Sequence, residues 1–198
     1  MDGVDAGVAA RRRQVIDRPW SWLRQVHGSR VVVVDAPGAG AGEKGDALVT
    51  RTPGTALAVL TADCAPVALA SPEGVVGAVH AGWRGLEAGV IEAAVDALRG
   101  LGATRVEAAL GPCIRAECYE FGTAELDRVV ARYGEAVRGR TATGASALDV
   151  PAAVAAALAG AGVDLVHDEG VCTSCSPGYY SHRARGEPER QALVVWLP

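Results

Sequence analysis

An α+β fold with layered, mixed sheets is what the sequence predicts, and three observations predict it. Apolar runs of four to six residues follow one another between Asp46 and His80, separated by turn signals at Pro53-Gly54 and Pro72-Glu73-Gly74. The apolar spacing then switches to a helical period over Leu86–Leu98. Beyond it, strand-like and helix-like patterns alternate to a C-terminal apolar run, Gln191–Leu197. Strands in series with helices interspersed require helices packed on a sheet face.

Taken in order, residues 1–19 are polar and poorly defined, with a short helix expected through Val8–Ile16. The Arg11-Arg12-Arg13 cluster there reads as a solvated helix face. Val31–Val34 is a continuous β-branched run and reads as a buried strand. Ala36–Lys44, rich in Gly and Ala, reads as a loop. Asp46–Thr50, Leu57–Thr61, Val67–Ala70 and Val75–His80 are expected as consecutive strands, some paired as hairpins. Leu86, Val90, Ile91, Ala94, Val95 and Leu98 share one helical face, and Gly100 and Gly102 stop it. Arg105–Leu110 reads as a strand, and Thr123–Tyr133 and Pro151–Leu158 as helices, the last opening on proline in its first turn.

The chain has 198 residues, enough for one domain over 1–198 with a sizeable core and too few for two. Its 49% apolar and 21% charged residues describe an ordinary globular protein. A formal net charge of −4 implies no broad basic surface, which argues against nucleic acid or an anionic membrane as partner. No stretch approaches the ~20 apolar residues that span a bilayer, and the N-terminus lacks a signal-peptide layout. The expected compartment is the cytoplasm, where five cysteines are thiols or ligands rather than disulfides. A monomer and a homodimer are both compatible with this composition.

Chemistry concentrates at run ends. His27 precedes the valine run, Cys64 ends Thr61-Ala62-Asp63-Cys64, and His80 ends a strand and enters His80-Ala81-Gly82-Trp83-Arg84-Gly85. Two imidazoles and a thiolate suit zinc or copper and leave a fourth position open. The competing reading is hydrogen-bonded structural histidines and a small core cysteine.

Six motifs occur in order: Gln25-Val26-His27-Gly28, Thr61-Ala62-Asp63-Cys64, His80–Gly85, Gly111-Pro112-Cys113-Ile114, Cys118-Tyr119-Glu120-Phe121-Gly122, and Cys172-Thr173 with Tyr180-Ser181-His182-Arg183. From about Trp20 onward the chain resembles the YfiH/YlmD family, also labelled polyphenol oxidase or laccase-domain proteins. The resemblance implies a four-layer α-β-β-α sandwich and a zinc site on His27, Cys64 and His80. It implies phosphorolysis of adenosine, inosine and methylthioadenosine, together with adenosine deamination. The same family carries two other readings, a copper (Cu2+) phenol oxidase and a factor that edits peptidoglycan precursors. A three-ligand ion with an open position can activate water toward C6 of adenine, which fits the purine reading.

On that reading the partners are purine nucleosides and phosphate. Arg84, on a Gly-flanked loop entering a helix, is the first candidate for phosphate, and Arg183 the second. Asp63 is expected either as acid/base or orienting partner of a ligand histidine, or as a turn cap. Gln25 alternates with His27 along an extended segment, so both face the site, and Trp83 either stacks on a purine or packs in the core. Cys113 reads as a bystander and His167 as a surface residue, while Cys172 and Cys175 make a single Cys-x-x-Cys where a zinc ribbon needs two. Two departures from the family pattern stand out. A further N-terminal segment usual in the family is expected to be missing, and His182-Arg183-Ala184-Arg185 replaces a paired-arginine form, which weakens Arg183 as a phosphate ligand.

Overall fold

The computed structural model describes residues 15–198. The helix expected through Val8–Ile16 therefore lies almost wholly outside the described residues. The chain runs β1 (Trp20–Arg24), β2 (Val31–Val33), β3 (Glu43–Lys44), β4 (Ala47–Thr50), β5 (Ala56–Thr61), β6 (Ala65–Ser71) and β7 (Val75–Ala81). Helices α1 (Trp83–Ala88) and α2 (Val90–Gly100), strand β8 (Glu107–Leu110) and helix α3 (Thr123–Tyr133) follow. The remainder is β9 (Arg138–Arg140), β10 (Ser146–Leu148), α4 (Val150–Gly160), β11 (Asp164–Asp168), α5 (His182–Arg185) and β12 (Gln191–Trp196).

Two mixed sheets result. The larger has the order β11-β8-β6-β7-β4-β2 and the smaller β12-β5-β1-β3, with β9 and β10 forming a separate ribbon. In the larger sheet β4, β6, β7 and β8 pair antiparallel, while β2 and β11 add parallel to the edges. Side chains alternate along its central strands, and the alternation sorts them between two cores. Val49, Val67, Leu69 and Val79 pack toward the helices with Ile91, Val95 and Leu98 of α2 and Val154 and Leu158 of α4. Leu48, Val76 and Ala78 point the other way and meet Leu23, Leu57 and Val59 of the smaller sheet. Buried on both faces, β7 has no exposed residue, and each large apolar side chain so enclosed is worth about 1.5–3 kcal/mol. The described residues thus form helix, sheet and sheet layers, with Trp20, Ala56 and Ala58 buried on the outer face of the smaller sheet against Ile16.

Three expectations are corrected. The periodic stretch Leu86–Leu98 belongs to two helices, because Gly89 takes a left-handed conformation (φ 83°) that caps α1 and starts α2. The valine run is an edge strand and not a buried one, since β2 pairs only with β4 and Val33 is 54% exposed. The loop 36–44 ends in the short strand β3, which pairs with β1. None of the described helices is long and apolar enough to cross a membrane.

Candidate metal centre

The antiparallel register of β4, β7 and β6 places the centre. Ala47 pairs with Val79, so Asp46 stands opposite His80 at the next position. Pro66 pairs with His80 and Ala65 with Ala81, which leaves Cys64 opposite Gly82. His27 reaches the same point from the turn between β1 and β2, where its own backbone is left-handed (φ 58°). The donor atoms of His27, Cys64 and His80 lie within 4.8 Å of one another. Their imidazoles meet edge to face, with centroids 4.8 Å apart, and Cys64 Sγ is 3.8 Å from His27 Nε2.

Asp46 organises this group. His80 Nδ1 donates to Asp46 Oδ1 (2.9 Å), which leaves His80 Nε2 to face the other donors. The same carboxylate accepts the amides of Val26 (3.1 Å) and His27 (2.8 Å) at Oδ1 and of Gly28 (2.8 Å) at Oδ2. One buried residue therefore fixes both the ring of His80 and the turn that carries His27. Burial opposes the Asp46 charge, but the His80 hydrogen bond and the amides of Gly28 and His27 hold its carboxyl below the usual carboxylate range.

The charges complete the donor set. Burial disfavours a Cys64 thiolate, yet hydrogen bonds and charge from His27 and His80 bring the thiol down to about 6. Burial likewise disfavours His80 imidazolium, and Asp46 and Cys64 raise it to about 9. The thiolate is the form a metal ion needs, and His80 completes the set once its proton is displaced. Gly82 gives a second test of fit. A Cβ there would sit 2.8 Å from His27 Cδ2 and 3.1 Å from Cys64 Sγ, so the absence of a side chain lets the backbone close against the donors.

The donors open onto a cavity of about 940 Å³ whose wall includes Trp22, Arg24, Tyr119, His182, Arg183 and Arg190. Gln25 also lines it, but its amide is taken up by Leu60, donating to that residue's carbonyl (2.7 Å) and accepting its N–H (2.8 Å). Gln25 and His27 thus both line the cavity, with His27 in a left-handed conformation. Asp63, itself at φ 90°, accepts the Thr173 hydroxyl (2.8 Å) at Oδ1 and the Arg183 amide (2.6 Å) at Oδ2. Asp63 thus ties the start of α5, whose N-cap is Ser181, to the centre.

Arg183 lies in the cavity wall with its guanidinium 4.6 Å over the Tyr119 ring. Arg84 and Trp83 are not in that wall. Trp83 packs edge-on against Phe121, and Arg84 stacks on the Trp83 ring at 4.2 Å. They begin the six-residue helix α1, outside the residues that line the cavity. Cys113 is fully buried, where burial pushes its thiol up to about 12, and His167 is exposed beside Glu169. Asp46, Gly82, Tyr119 and Arg190 went unassigned in the sequence. The one available signal was Asp46, a charge heading the run Ala47-Leu48-Val49.

Comparison with known proteins agrees with this picture. A family model described as multi-copper polyphenol oxidoreductase laccase matches residues 5–198. A relative from Streptomyces griseus named purine nucleoside phosphorylase ORF3 is 45% identical over 181 residues, covering 89% of this chain and 73% of that protein. A Neisseria meningitidis structure of the DUF152 family superposes with a TM-score of 0.84 at 31% identity, over 96% of this chain and 79% of that one. The structure of YfiH from Bacillus licheniformis gives a TM-score of 0.86 at 26% identity, over 98% and 80% respectively. Nearly every residue of the chain falls within the family match, and the chain belongs to the YfiH/YlmD family of laccase-domain proteins.

Proposed function

We propose that this chain is a zinc-dependent purine nucleoside phosphorylase acting on adenosine, inosine and methylthioadenosine, with adenosine deamination as a second activity. The observation that carries the reading is a donor set of two imidazoles and one thiolate opening onto a cationic, aromatic cavity. The relative from Streptomyces griseus, named for that activity and 45% identical, supports the same choice of substrate.

Phosphorolysis breaks the bond between sugar C1′ and the base nitrogen, joins a phosphate oxygen to C1′, and delivers a proton to the departing base. Phosphate requires cationic contacts, and Arg24, Arg183 and Arg190 line the cavity. Of these, Arg183 is held in place, since its guanidinium donates to the Glu120 carbonyl (2.9 Å) and rests on Tyr119. Tyr119 and Trp22 offer ring faces to a purine. Asp63 acts as a positioning residue that fixes the backbone of Arg183. His27, Cys64 and His80 would hold a zinc ion, which would supply Lewis-acid polarisation of a bound oxygen. With no described helix suited to a membrane, and with five thiols to keep reduced, the cytoplasm is the matching compartment.

The test is a nucleoside panel run with and without phosphate and read by product chromatography. Zinc-loaded protein should release hypoxanthine from inosine only when phosphate is present, and His80→Ala should abolish the release. No base release from any purine nucleoside would end the reading. The family description favours a second reading, a copper phenol oxidase, because the same donors also suit copper. Four histidines in the whole chain are too few for a multicopper centre, which argues against it. Stoichiometric copper in protein purified from cells would restore it, and hydrolysis of peptidoglycan precursors would point instead to editing.

A further inference from the structure

A second group of ligating side chains stands apart from the first. Glu117, Cys118, Cys172 and Cys175 each present one donor atom, and the four donors lie within 4.8 Å of one another. Cys118 and Cys175 are 57 residues apart in sequence, yet their sulfurs are 2.8 Å apart, well beyond the ~2.05 Å of a disulfide bond. In sequence only the Cys172-x-x-Cys175 half of a zinc motif is visible. The fold supplies the rest from the 3₁₀ turn Ala116–Cys118, which carries Glu117 and Cys118.

The surroundings suit an ion. A tetrahedral zinc with bonds of ~2.3 Å to sulfur holds its ligand atoms roughly 3.8 Å apart, inside the spread of these four. Cys172 is buried, and its sulfur accepts the backbone amide of Arg115 at 3.5 Å, the kind of N–H···S contact that stabilises a metal-bound thiolate. Cys175 and Glu117 are exposed, giving a metal ion access from solvent. Three thiols and a carboxylate brought together in this way repel one another once ionised, and a divalent cation removes that repulsion.

We propose that Glu117, Cys118, Cys172 and Cys175 bind a structural zinc ion, as one carboxylate and three thiolates, independently of the centre on His27, Cys64 and His80. Four protein ligands leave no open position, the hallmark of a structural rather than a catalytic site. The ion clips the irregular stretch between β11 and α5 to the turn before Tyr119. That stretch contributes Thr173, which holds Asp63, and leads into Arg183, which also binds Asp63. The clip therefore braces one wall of the cavity.

Elemental analysis of protein from zinc-supplemented cells, after passage over chelating resin, tests this. The intact chain should carry about two zinc ions, and the His27→Ala/His80→Ala double variant about one. Cys175→Ser, a change at an exposed position, should remove one ion from the intact chain and the remaining ion from the double variant. Replacing zinc with cobalt in the double variant should give a strong sulfur-to-cobalt charge-transfer band, lost with Cys175→Ser. An unchanged zinc count in Cys175→Ser would overturn the proposal. So would a folded double variant, by circular dichroism, that carries no metal. A Cys118–Cys175 cross-link in intact, unreduced protein, seen as a two-hydrogen mass loss and a linked peptide, would likewise replace the ion with a disulfide. None of these readouts depends on nucleoside chemistry, so the proposal and the phosphorylase reading fail separately.

Discussion

His27, Cys64 and His80 converge at the ends of paired strands, whereas Cys118, Cys172 and Cys175 converge between a 3₁₀ turn and a stretch with little regular structure. In the first centre, ladder hydrogen bonds on β4, β6 and β7 set the positions of His80 and Cys64 before any ion arrives. Asp46 then locks the third ligand through three backbone amides. In the second, the stretch between β11 and α5 has only an isolated bridge, Cys172 with Cys113, and links between side chains supply much of the rest. Chemistry that needs fixed geometry is built on strand ends, and a brace is built where the chain lacks its own hydrogen-bond frame.

The largest effect should appear in hydrogen exchange. After metal removal, amides of Leu48, Val49, Ala78 and Val79 should stay as protected as in loaded protein. Those of residues 174–179 should exchange at least ~100-fold faster. Equal loosening of both regions would erase the contrast. Asp46→Asn comes next, since it removes the charge facing His80 and turns one of the two acceptor oxygens that serve His80 and the His27 turn into a donor. Zinc affinity at the first centre should fall about 10–100-fold, measured by competition with a chelating dye. Parent-like affinity would mean that strand register alone holds His80.

Gly82→Ala is a smaller and more selective perturbation. Its Cβ meets the His27 ring and the Cys64 sulfur, both at the ends of side chains that can yield. Zinc binding at the first centre should weaken by about tenfold with the melting temperature nearly unchanged. A large loss of stability with normal binding would contradict this account. The smallest effect is a proton count. With Cys64 lowered to about 6 and His80 raised to about 9, the metal-free pair between those values is a thiolate and an imidazolium. Zinc must displace the His80 proton, so binding near pH 7.5 should release about one proton per ion, read by calorimetry in buffers of differing ionisation enthalpy. Affinity should rise as pH climbs toward about 9 and drop further below about 6, where the thiol also holds a proton. Proton-neutral binding would show that His80 is already deprotonated.

The three first-centre ligands were candidates because each stands at the boundary of an apolar run, where period and polarity change together, and the family motifs singled them out as a set. The helix Thr123–Tyr133 was readable from its uninterrupted apolar spacing. Adjacency to His80 in sequence does not put Arg84 among the residues that line the cavity. Four residues into the motif the chain has turned into α1, and Arg84 lies on Trp83 in the helix layer. Gln25 and His27 both line the cavity, as their spacing suggests, but the Gln25 amide is engaged by Leu60.

By itself the sequence determined most of the element types and set His27, Cys64 and His80 at the ends of apolar runs. These are local properties, written in periodicity and residue chemistry. Tertiary structure alone decided that Asp46 would face His80, that Asp63 would accept the Arg183 amide at the start of α5, and that Cys118 would join a Cys-x-x-Cys 57 residues later. Those pairings follow from strand register and layer packing, which depend on how distant segments fit together, and no local pattern encodes that fit.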